Sequence, residues 1–137
     1  MSSRSLDTGY RITVNQLLSE ARSGLERLGP RAAAAAISTG ALLVDIRSEL
    51  QRERDGLVPG AVFVARNVLE WRCDPACPSC DERLADLDRQ LILMCNEGYQ
   101  SSLAAATLQR LGFRSATDLA GGFQAWRDAG LPVSPPD

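Results

Sequence analysis

Along this chain, apolar positions recur at helical spacing and then in short continuous runs, and the two patterns alternate. Leu17, Ala21, Leu25 and Leu28 share a helical face, and Thr13 followed by Gln16 fits a capping box, so residues 13–28 are expected to be helical. Gly29-Pro30 closes that helix, and Pro30 can open a short second one through the alanine run to about Ile37. ALLVDIR, residues 41–47, reads as a buried strand, and after a turn-like stretch at 56–60, AVFVA at 61–65 reads as another. Residues 66–80 are polar and cysteine-bearing and are expected to be loop, with a short helix over 81–87. LILMC, residues 91–95, is a third strand. A helix over 101–111 follows, with Leu103, Thr107, Leu108 and Leu111 as its inward stripe. A weak strand at 115–120, a helix at 123–129 and the tail LPVSPPD complete the pattern. Strands alternating with helices predict α/β layering around a mostly parallel sheet. No repeat or internal linker interrupts the chain, so a single domain over 1–137 is expected.

Composition changes this picture mainly by exclusion. Hydrophobic residues make up 45% and charged residues 23% of 137, which is ordinary globular usage. A net charge of -2 gives no reason to expect nucleic acid or an acidic membrane as partner. The longest apolar runs fall far short of the roughly 20 residues that span a bilayer. The N-terminal MSSRSLDTGYR lacks the apolar core of a secretory signal, so a cytoplasmic location with reduced thiols is expected. The chain has no His, and its 15 basic residues are all Arg. That excludes Cys–His and Ser–His dyads, lysine Schiff bases, the phosphate-binding P-loop and histidine-containing metal sites.

The chemistry that remains centres on Cys95, at the end of the third strand. Loops beyond the carboxyl ends of parallel strands form the ligand crevice of such sheets. The next helix starts near Ser101, with unpaired amides and a positive dipole end, and Gly98 lets successive amides turn inward as a nest. A thiolate can be favoured there without histidine. The same position equally suits a buried strand-end cysteine with no chemistry.

Three further segments, in order around that cysteine, carry a resemblance. LLVDIR ends a strand, GLVPGAV leads into the next, and DLAGGFQAW follows the helix after Cys95. Together they resemble the rhodanese-like sulfurtransferase family over roughly residues 32–133. The resemblance implies an α/β domain with a mostly parallel central sheet and helices on both faces. It assigns residues 1–30 to an N-terminal helical extension, 31–133 to the core and 134–137 to a tail. It implies that Cys95 accepts a sulfane sulfur as a persulfide, within a loop formed by Asn96, Glu97, Gly98, Tyr99, Gln100 and Ser101. Ser101 is expected to donate or to cap the helix, while Asp45, Arg47, Gly121, Gly122 and Trp126 match structural positions. The implied partners are a small sulfur donor (thiosulfate, mercaptopyruvate or a persulfide) and an acceptor (cyanide, a thiol or a protein). No cofactor is called for, nor nucleic acid or membrane.

This sequence departs from the family pattern where charge is concerned. Asn96 and Gln100 stand where arginines are commoner, Leu57 stands for a frequent His, and Glu97 makes the loop formally negative. Losing two charge-assisted donors of about 1.5–3 kcal/mol each predicts weak thiosulfate handling. Arg66 and Arg72 are candidates to restore charge near the pocket. Ser101 also occupies the place where a Cys-dependent phosphatase needs Arg, which argues against phosphoryl transfer. Cys73, Cys77 and Cys80 form a separate cluster, read as incidental thiols, as resolving or relay thiols for Cys95, or as part of a metal site. A zinc site would need Cys95 as its fourth ligand, and no metal is assigned. The leading expectation is a sulfurtransferase. The alternative is a catalytically weak rhodanese-type binding, regulatory or thiol-redox module.

Overall fold

The computed structural model describes residues 11–136. Four strands pair in parallel: β1 (Leu42–Asp45), β2 (Val62–Phe63), β3 (Leu91–Met94) and β4 (Thr117–Asp118), in the order β2-β1-β3-β4. β1 and β3 form the centre, in register from Leu42 opposite Leu91 to Asp45 opposite Met94. Both are buried along their full length, which is why they read as continuous apolar runs rather than alternating ones.

Successive side chains still point to opposite faces. Leu42, Val44, Leu91 and Leu93 pack in one apolar cluster with Leu69, Cys73, Ala104, Ala105, Leu108 and Phe113. Leu43, Ile92 and Met94 pack in the other with Ala33, Phe123 and Trp126. The first cluster draws on α4 (Leu69–Cys73) and α5 (Gln100–Arg110), the second on α2 (Pro30–Ser38) and α6 (Gly122–Asp128). Helices therefore cover both faces of a parallel sheet, as the sequence led one to expect.

Several elements differ from the sequence reading. The first helix, α1 (Val14–Arg22), has the expected Thr13–Gln16 capping box but ends six residues early. Leu28 bridges Leu119 in parallel, its N–H donating to Asp118 O at 3.1 Å while its carbonyl accepts from Ala120 N at 2.8 Å. Ladder bonds at the sheet edge replace the helical ones that the Leu25–Leu28 spacing suggested. Residues 49–55 form an unanticipated helix, α3 (Glu49–Asp55), opened by a Ser48–Gln51 capping box. It buries no residue, so no apolar stripe announced it.

Residues 66–80 are not all loop. A 3₁₀ turn (Arg66–Val68) runs into α4, whose Leu69 and Cys73, four apart, are buried. The helix expected over 81–87 is instead a run of turns. There Asp81 and Asp86 carboxylates capture the Arg83 and Asp88 amides at 2.9 and 3.0 Å, in competition with a helical ladder. In α5 the fully buried apolar positions are Ala104, Ala105 and Leu108. Leu103, Thr107 and Leu111 are half-buried, with Leu103 and Thr107 beside Leu17 and Ala21 of α1. The small alanines let α5 lie close on the sheet. Among the described residues no helix is long and apolar enough to cross a membrane. The N-terminal segment read as lacking a secretory signal lies outside the described residues up to residue 10.

Candidate active site at the Cys95 loop

Cys95 follows directly on β3, and the loop 96–99 carries the chain into α5. Within that loop Gly98 takes φ +90°, which turns its amide back on the cysteine. Gly98 N–H donates to Cys95 Sγ at 3.1 Å and Ser101 N–H, in the first turn of α5, does so at 3.4 Å. The sulfur thus sits on two backbone donors at a helix start, where negative charge is favoured. Cys95 is only 8% exposed, yet it lines a cleft of about 260 Å³ with Ile46, Arg47, Gln51, Asn96, Glu97, Tyr99 and Gln100.

The first turns of α6 hold this loop from behind. Phe123 N–H donates to Cys95 O at 2.9 Å and Gln124 N–H to Asn96 O at 3.2 Å. Asn96 Oδ1 accepts a further bond from the Gln124 side chain at 2.9 Å. Such contact requires the paired glycines. At Gly122 (φ +62°) a Cβ would lie 2.5 Å from Cys95 O and 2.7 Å from Asn96 O. At Gly98 one would lie 2.8 Å from Gly121 N. The glycines of DLAGGFQAW are there because backbone meets backbone beneath the thiol.

Of the two roles expected of Ser101, donor or cap, its hydroxyl takes the first. Its hydroxyl donates to Asp118 Oδ2 at 2.7 Å and does not cap α5, whose N-cap is Tyr99. Ser102 Oγ donates to the same oxygen at 2.8 Å. Asp118, fully buried, also takes a two-point contact from Arg27, at 2.9 and 3.1 Å. The sequence reading singled out neither Asp118 nor Arg27; a carboxylate at a weak strand end was the one available signal.

The remaining candidates divide. Arg66 reaches the loop at Gln100 Oε1 (3.1 Å), but its other end is matched by both oxygens of Glu70. Arg72 turns to the Ser79 carbonyl at 3.1 Å and is not among the residues lining the cleft. The cation in the cleft wall is Arg47, held by Asp45 at 3.0 and 2.8 Å, with Asp45 shared by Arg52 at 3.3 Å. Arg47 Nη1 is the one buried side-chain N or O atom without a partner among the described residues. Two guanidiniums share that one carboxylate, and Glu97 lines the same cleft as Arg47. Tyr99 is 62% exposed and lines the cleft rather than closing it, with the Arg22 guanidinium 5.9 Å from its ring centre.

Cys73 is fully buried, and burial, reinforced by Glu70 and Asp81, pushes its thiol up to about 12. It stays protonated at neutral pH and is a poor candidate for a resolving thiol. Cys77 and Cys80 are half-buried in one turn, Cys80 N–H donating to Cys77 O at 3.1 Å and Cys77 Sγ lying 3.2 Å from Ser79 Oγ. Among the described residues no three His, Cys, Asp or Glu side chains gather as metal ligands.

Comparison with known proteins agrees with this architecture. The model of the rhodanese-like domain matches residues 30–129. The thiosulfate sulfurtransferase GlpE of Pseudomonas fluorescens (strain SBW25) is 35% identical over 106 residues, 77% of this chain and 87% of that protein. A solved protein of unknown function from Rhodopseudomonas palustris CGA009, described as a possible tyrosine phosphatase, superposes with a TM-score of 0.82 at 34% identity. It covers 94% of this chain and 99% of its own. The polysulfide-sulfur transferase of Wolinella succinogenes shares the fold at a TM-score of 0.70 and 21% identity, over 87% of this chain and 85% of its own. With the family model spanning most of its length and a sulfurtransferase relative beside it, the chain belongs to the rhodanese-like domain family.

Proposed function

We propose that this protein is a single-domain sulfurtransferase that carries a sulfane sulfur as a persulfide on Cys95. The observation that carries the reading is the convergence of the Gly98 and Ser101 amides on Cys95 Sγ inside an open cleft. In the first step the Cys95 thiolate attacks the outer sulfur of a donor. A new S–S bond forms, the donor's bond to that sulfur breaks, and its remaining fragment leaves with the electron pair, as sulfite from thiosulfate, as thiolate from a persulfide or, by C–S cleavage, as pyruvate enolate from 3-mercaptopyruvate. In the second step an acceptor nucleophile attacks the terminal sulfur and Cys95 leaves as thiolate. Both the thiolate and the persulfide are anions, so the same amides serve each state.

The donor follows from charge. Among the cleft-lining residues Arg47 and Glu97 carry opposite signs, and Asn96, Gln51 and Gln100 are neutral. Thiosulfate, a dianion, meets few charge-assisted donors there, so a singly charged organic persulfide is the better donor. Phosphoryl transfer lacks support. No loop arginine faces the thiol, and the Ser101 hydroxyl is spent on Asp118.

Intact-mass analysis tests the reading. After incubation with a persulfide donor, 3-mercaptopyruvate or thiosulfate, the protein should gain one sulfur, fastest from the persulfide and not at all in Cys95→Ala. No gain from any donor would sink the proposal and leave a binding or regulatory module. A gain that persists in Cys95→Ala would move the chemistry to Cys77 or Cys80.

A further inference from the structure

Two arginines from the segment ahead of the matched domain converge on the active-site loop. Arg22 Nη2 donates to the Gly98 carbonyl at 2.8 Å, and Arg27 Nη2 donates to the same oxygen at 2.9 Å. Arg22 Nε also reaches Ser102 Oγ at 3.0 Å, and Arg27 grips Asp118, on which Ser101 and Ser102 rest. Two charge-assisted bonds from the guanidiniums of different side chains hold one carbonyl in a fixed direction. This carbonyl shares a Cα with the N–H that is the shorter of the two donors to Cys95 Sγ, so anchoring it limits how far Gly98 can rotate away from the sulfur. The following peptide is planar and trans, so holding the Gly98 carbonyl toward α1 aims the Tyr99 N–H the opposite way.

We propose that Arg22 and Arg27 are positioning residues, which clamp the Gly98 carbonyl from outside and so keep the loop amides turned toward the sulfur. The clamp supplies from the N-terminal segment an order that the arginine-free loop does not supply itself. Its backstop is Gly121, whose N would lie 2.8 Å from a Cβ on Gly98, so the loop is wedged between α6 and Arg27. The charged groups facing the loop are Arg22, Arg27 and Asp118 on the clamp side, Arg47 and Glu97 in the cleft wall, and Arg66, paired with Glu70, at Gln100.

The inference rests on Cys95 being the reacting thiol, and a neutral alkylating probe lets the two fail separately. Iodoacetamide modification of Cys95, read by peptide mass across a pH series, is compared in wild type, Arg22→Ala and Arg22→Lys. Arg22→Ala should displace the pH profile upward and slow sulfur loading at saturating persulfide about tenfold, with little change in KM. Lysine, which keeps the charge and one donor, should recover most of the loss. A merely looser pocket would change the plateau of the alkylation profile and leave its midpoint in place. In 1 M salt, where the Debye length is about 3 Å, a through-space charge effect fades while a positioning effect persists. An unmoved midpoint in Arg22→Ala, or a difference that vanishes in 1 M salt, overturns the inference whether or not the protein carries sulfur. Should Arg22→Ala fail to fold by far-UV circular dichroism, Arg22→Gln, which keeps much of the aliphatic stem, takes its place. A wild type that alkylates but loads no sulfur counts against the sulfurtransferase reading, and the alkylation comparison still decides the clamp.

Discussion

Cys73 and Cys95 belong to the same apolar cluster, yet backbone geometry separates them. Cys95 meets two amide donors, whereas Cys73 is buried with Glu70 and Asp81 nearby and its thiol is pushed up from 9.0 to about 12. Because the folded value lies above the ordinary one, the protonated Cys73 contributes stability that is whole below about pH 9. That contribution is lost as pH rises toward 12. Urea midpoints measured at pH 8, 9.5 and 10.5 should therefore fall more steeply in wild type than in Cys73→Ala. Equal slopes would mean that Cys73 ionises as freely in the fold as out of it. At this scale Cys95 was legible, since a thiol between a strand and a helix is marked by its neighbours in sequence. Asp118 was not, because its partner Arg27 lies 91 residues away and nothing local marks a carboxylate that serves others.

Elements were legible in proportion to the apolar surface they bury. β1 and β3, buried throughout, stood out as runs, whereas α3 buries nothing and is held by its capping box. The helix expected over 81–87 failed because aspartates compete for backbone amides, an effect that apolar spacing does not register. α5 matters most for the site, since its first turn supplies the Ser101 amide and its alanines set its height on the sheet. Leu108 anchors that face and is fully buried. Leu108→Ala should cost about 2–5 kcal/mol by urea unfolding. A loss below about 1 kcal/mol would show that α5 is held mainly through its N-terminal hydrogen bonds.

On the scale of the molecule, Asp118 joins three separate parts: β4, the start of α5, and the N-terminal segment through Arg27. Removing a buried carboxylate leaves Arg27 without its countercharge, a class of change that costs about 3–5 kcal/mol. Asp118→Ala should show that loss in urea unfolding and also slow sulfur loading. Unchanged stability with normal loading would show that this node holds nothing together. The parallel sheet, the family and the place of Cys95 between a strand and a helix could be read from the chain, because each is written in local spacing or in a contiguous motif. The tertiary structure alone decided which groups surround that cysteine. Arg22, Arg27 and Asp118 reach the loop, while Arg66 spends its charge on Glu70 and Arg72 turns to Ser79. The physical reason is range. Hydrophobic periodicity acts between neighbours along the chain, but hydrogen bonds and ion pairs select partners by distance in space, which exists only once the sheet has brought remote segments together.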